Sequence, residues 1–135
     1  MKLIFLLFFT TLITMVILDV VWLMLMAKQF FVVHIGHLMS AKPKLIPIVL
    51  FYLIYSFAIT VFVVLPSVNH HYDTFLVFLL GALFGLAAYG TYDFTNHALM
   101  KNWPVIVTVV DLAWGSFLTG VTSVIGVWLA REFNW

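Results

Sequence analysis

The sequence predicts an all-α integral membrane protein: a bundle of four transmembrane helices, with a short interfacial helix between the first and the second. Two observations carry this prediction. The 135 residues are 65% hydrophobic and 18% aromatic but only 8% charged, with a mean hydropathy of +1.19. A soluble domain of this size needs far more charge to cover its surface. Four stretches are also long and apolar enough to cross a hydrocarbon core, which takes ~20 residues at ~1.5 Å rise each. Backbone groups in lipid must be satisfied within the segment, so these stretches read as helices. The whole of 1–135 is taken as one transmembrane helical domain, multi-pass, in contact with membrane lipids.

The first span, Leu3 to Ala27, follows Lys2 and has the outline of a secretory signal. Its apolar run is too long for one, and LMLMA is a poor cleavage site, so it is kept as a helix. The connection AKQFFVVHIGHLMSAKPK places Phe30, Phe31, Val33, His34 and His37 near helical spacing between lysines, which suggests the interfacial helix. Leu45 to Leu65 forms the second span, and PSVNHHYD, from Pro66 to Asp73, a short turn. The third runs from Thr74 to Tyr92, with room to extend to Leu99, and the fourth from Trp103 to Ala130. Gly81, Gly85 and Ala88 or Tyr89 form a mostly small-residue stripe on the third span. Gly115 with Thr119, or Ser116 with Gly120, does the same on the fourth. Small residues four apart let backbones approach closely, so the third and fourth helices are expected to form the tight pair. Met15, Met24 and Met26 read as filler, not as a cofactor box.

A formal net charge of +1 provides no basic field for nucleic acid. The absence of Cys removes disulfides, thiolate metal sites and thiol nucleophiles. There is no Ser nucleophile with a base in sequence context, no Gly-rich phosphate loop and no paired E-x-x-H. Catalytic residues are therefore not assigned, and no cofactor is expected. His34, His37 and His97 share a membrane face with Asp93, but H-x-x-H at an interface reads first as solvated imidazoles, so no metal site is assigned.

The acids carry the chemistry. Asp19 lies nine residues before Lys28 and Asp111 eight after Trp103, which puts each ~12 to 14 Å along its helix from the same membrane face. Asp93 and Asn96 approach that face from the third helix. Asp19 and Trp22, like Asp111 and Trp114, are separated by three positions, which puts each pair on one helix face. Asp19, Trp22, Asp93, Asn96, Asp111 and Trp114 are thus the candidate ligand or proton site. A membrane-embedded carboxylate costs ~3 kcal/mol on insertion scales and normally faces a bundle interior. No Lys or Arg lies at the depth of Asp19 and Asp111, and desolvation and repulsion both oppose two negative charges there, so one shared proton is expected. Interfacial anchoring by Trp, and a purely structural polar latch, are the plainer readings of the same residues.

Lys28, Lys42, Lys44 and Lys101 fall in the first and third connections, against Lys2 and Arg131 on the other side. The positive-inside rule then puts those connections in the cytoplasm and both termini outside.

The stretches DVVW (Asp19 to Trp22), FYLIY (Phe51 to Tyr55), AYGTYDFTN (Ala88 to Asn96), WP (Trp103, Pro104) and DLAWG (Asp111 to Gly115) resemble a bacterial family of small integral inner-membrane proteins, domain of unknown function 2177. The resemblance spans nearly the whole chain. It implies a bacterial inner-membrane location and tilts the functional expectation toward lipids, with no activity to carry over. The leading expectation is a protein that binds or carries a hydrophobic or lipid-like ligand, proton-linked through the Asp cluster. The alternatives are a membrane enzyme or enzyme subunit acting on a lipid, with Asp93 or Asp111 as acid or base, and a structural partner in a membrane complex. A homo-oligomer is compatible with each.

Overall fold

The computed structural model describes residues 1–135 and contains helices and no strands. Four helices are long and apolar enough to cross a membrane: α1 (Lys2–Leu38), α2 (Leu45–Asn69), α3 (Thr74–Leu99) and α4 (Val105–Glu132). Asp73 starts α3 by accepting hydrogen bonds from the Phe75 and Leu76 amides, the usual N-cap arrangement. The predicted spans hold: the first two are longer than predicted, the third reaches the Leu99 limit allowed for it, and the fourth keeps its length but is shifted by two residues.

Two of these extensions have physical causes. Pro66, expected in a turn, lies inside α2, where its ring crowds the carbonyl four residues back. A π-helical turn, Thr60–Val64, immediately precedes it and widens the helix where that carbonyl sits. The stretch expected as a separate interfacial helix is helical but prolongs α1. A π turn at Ala27–Phe31 leads without a break into Val32–Ile35 and a 3₁₀ turn at Gly36–Leu38.

α3 and α4 form the tight pair, as the small-residue stripes predict. A Cβ added at Gly85 would stand 2.2 Å from the Gly115 carbonyl oxygen, and one at Gly81 2.8 Å from that of Thr119. Gly115 is covered by the Tyr89 ring. α1 packs against α4 and α2 through Leu7, Thr11, Met15 and Asp19, a buried stripe with a stride of four.

The packing is uneven along the bundle axis. Buried residues of α4 concentrate from Gly115 to Ala130, and those of α2 begin only at Tyr55. Residues 45–51 of α2 are all exposed. The bundle is closed at the end carrying the termini. It opens at the end where α1 and α3 finish and α2 and α4 start, and a cleft lies between the splayed helices.

Candidate functional site

Beyond Asp19, the inner stripe of α1 keeps its stride of four through Leu23, Ala27, Phe31 and Ile35, and these residues, with Met39 just past the helix end, face a cavity. In an ideal α-helix such a stride drifts roughly 40° per step. The wider π turn at Ala27–Phe31 offsets part of that drift and keeps the residues facing one way. They form one wall of a cavity of about 350 Å³, whose other wall is Tyr89 and Tyr92 of α3 and Asp111 and Trp114 of α4, with Asp19 and Trp22 in the lining. A neighbouring cavity of about 450 Å³, lined by Phe51, Ala88, Tyr89, Thr91, Tyr92 and Asp111, shares three of these residues. Asp111 therefore borders both halves of one cleft.

The three acids are held differently. Asp19 is buried, with both oxygens occupied: the Tyr52 hydroxyl donates to Oδ2 at 2.5 Å and the Trp114 indole N–H donates to Oδ1 at 3.0 Å. Trp22 stacks on Trp114 with ring centroids 4.3 Å apart and planes 4° from parallel, which fixes the indole that serves Asp19. Asp111 is half-buried at the cleft and receives no hydrogen bond from any protein N–H or O–H donor. Asp93 is fully buried, and neither of its oxygens has a donor partner. The Asp111 carboxyl lies within hydrogen-bonding reach of Asp93. Two ionised carboxylates offer each other only acceptors, so this contact becomes a hydrogen bond only when the pair holds a proton.

The structure thus brings Asp19, Trp22, Asp111 and Trp114 to one cavity and sets Asp93 behind Asp111. Asn96, half-buried, lies outside the cavity lining. Thr91 and Thr95 donate to carbonyls of their own helix, Ala87 and Thr91, while Thr108 accepts from the Trp103 indole. The carboxyl facing Asp111 within hydrogen-bonding reach is Asp93, whereas Asp19 is served by neutral donors. Tyr52, Tyr89 and Tyr92 were not foreseen as parts of the site. The visible signal was the spacing of Tyr89 and Tyr92, three apart and just before Asp93 in AYGTYD. His34 is engaged with the Phe30 carbonyl of its own turn, and no three His, Asp or Glu side chains converge to hold a metal ion.

A family model described as a predicted membrane protein, DUF2177, matches residues 4–128. The chain belongs to this family. The match runs from the start of α1 through most of α4, so it covers every helix that contributes to the cleft. No curated protein and no solved structure matches the chain.

Proposed function

We propose that this protein binds or carries a hydrophobic, lipid-like molecule in the cleft between α1, α3 and α4, in the bacterial inner membrane, with the polar end of the ligand at the Asp cluster. One observation carries the reading. From the buried Asp19, the inner stripe of α1 continues as an apolar wall of Leu23, Ala27, Phe31 and Ile35, with Met39 beyond it, that faces the cavity. A site with one polar end and one long apolar side matches an amphiphile. The contact between Asp93 and Asp111 supports a proton link, because a ligand group that donates to Asp111 competes with the proton the pair would otherwise share.

Photo-crosslinking tests the reading. A benzophenone side chain at Phe31, in the cleft, is expected to capture a restricted set of membrane molecules by mass spectrometry. The same probe at Leu83, exposed on α3, should capture bulk lipid. Identical adduct profiles at the two positions would show that the cleft selects nothing.

A further inference from the structure

The cleft is lined by carboxyls and by no basic side chain. Neither cavity is lined by Lys, Arg or His, while Asp19 and Asp111 border the space and Asp93 stands behind Asp111. The donors serving Asp19 are a phenol and an indole, neither of which carries a positive charge. Asp111 has room to accept from a ligand, and the fully buried Asp93 carboxyl, which has no donor partner, meets Asp111 from the side away from the cavity. Around these acids stand the rings of Trp22, Trp114, Tyr89 and Tyr92. Carboxylates within an aromatic surround recognise a cation: an ammonium supplies donors and a full positive charge, and ring faces attract it further. A phosphate head would meet like charge with no Arg or Lys to receive it. A neutral alcohol would satisfy Asp111 but not the charge.

We propose that the ligand is a lipophilic amine, with its ammonium group against Asp111 between Asp19 and the ring faces and its hydrocarbon tail along Leu23, Phe31 and Ile35. This rests on the cleft being the ligand site and adds the chemical class of the head group. It also gives the proton link a direction. An ammonium at Asp111 and a proton shared by Asp93 and Asp111 would compete for the same carboxyl oxygens, so the amine enters as the proton leaves. The groups facing this point are Asp19 on α1, Tyr52 on α2, Tyr89, Tyr92 and Asp93 on α3, and Asp111 on α4. Because the proton and the ammonium compete, amine binding should strengthen as pH rises, for as long as the amine itself remains protonated.

The test uses the full chain in nanodiscs of neutral lipid with three probes sharing one tail: dodecylamine, dodecanol and dodecyl phosphate. Binding is followed by quenching of tryptophan fluorescence and by native mass spectrometry. Dodecylamine should bind about tenfold or more tightly than dodecanol, with dodecyl phosphate weakest, a difference of one well-placed charge pair in a partly desolvated site. Raising the pH from 6 to 8 should strengthen dodecylamine binding more than dodecanol binding, so that the preference for the amine widens. Asp111→Asn, checked for folding by circular dichroism, should abolish the preference for the amine while dodecanol binding persists. Equal affinities for amine and alcohol in the wild type, or an amine preference surviving Asp111→Asn, would overturn the head-group assignment and leave the cleft as a ligand site. Failure of all three probes to bind would instead count against the cleft reading itself.

Discussion

Asp19 is buried in the spanning part of α1, and both of its oxygens accept hydrogen bonds, from Tyr52 on α2 and Trp114 on α4. One side chain thereby ties three helices together where the apolar packing ends. Substitution by Leu strands a phenol and an indole donor in a medium without water. Polar interactions between membrane helices contribute roughly 0.6 to 1.7 kcal/mol each, so Asp19→Leu should destabilise the fold by about 1 to 3 kcal/mol. Asn keeps one acceptor oxygen for one of the two donors, and Asp19→Asn should cost less than half as much. Unfolding in mixed micelles checks both, and equal losses for Leu and Asn would show that the hydrogen bonds contribute little. At this scale the sequence was informative because polar residues are so few. Asp19, Asp111 and both Trp stand out against hydrocarbon, and the D-x-x-W spacing puts each pair on one face. The tyrosines did not stand out, since an aromatic residue in a span reads equally as filler or interfacial anchor. Which carboxyl faces Asp111 was equally hidden, because it depends on the rotation of α3 against α4.

For the helices as elements, the α3–α4 seam was legible and the α1 wall was not. The seam follows from glycines four apart, a pattern with one geometric meaning. A methyl group at Gly85 would collide with the Gly115 carbonyl, which is backbone and has nowhere to go, while one at Gly90 would meet only side-chain carbons of Leu112 and Phe94 at 3.4 Å. Gly85→Ala should therefore destabilise by on the order of 3 kcal/mol, the upper part of the range for overpacking. Gly90→Ala should be neutral or slightly stabilising, since Ala is the better helix former by about 1 kcal/mol. Thermal unfolding of the two variants side by side decides this, and similar melting temperatures would show that the seam is looser than its geometry implies. Away from Asp19 and Trp22 the inner face of α1 was not legible, because the rest of Leu3 to Ala27 is almost uniformly apolar and periodicity has little to contrast. Its extension past Ala27 was read as a separate element because Lys28 and the two His residues mark the edge of the hydrocarbon and carry no information about whether the helix stops there.

Taken as a whole, the molecule is asymmetric between its two ends. The closed end carries Arg131, whose guanidinium donates to the Tyr72 carbonyl at 2.5 Å and so ties the end of α4 to the turn between α2 and α3. The open end carries the cleft, Asp19, Asp93 and Asp111, and Lys28, Lys42, Lys44 and Lys101, with Lys2 and Arg131 the only Lys or Arg at the other end. Positive charge flanking the spans is retained on the cytoplasmic side during insertion, so the cleft end should face the cytoplasm and both termini the periplasm. The consequence for function is direct: a ligand reaching Asp111 through the cleft would enter from the cytoplasmic leaflet, and a proton leaving the Asp93–Asp111 pair by the same opening would be released to the cytoplasm. The orientation is measured by fusing alkaline phosphatase, active only in the periplasm, after Trp135 and, separately, within residues 40–44 between α1 and α2. The C-terminal fusion should be active and the loop fusion inactive. Moving two lysines should weaken this contrast, because four charges against two is a narrow margin: Lys42→Gln with Lys44→Gln leaves the ends evenly matched and should produce a mixed population. If the loop fusion is the active one in the wild type, the cleft faces the periplasm. The acids then draw ligand and proton from the outer leaflet, and the direction of any carriage is reversed with the geometry of the site unchanged.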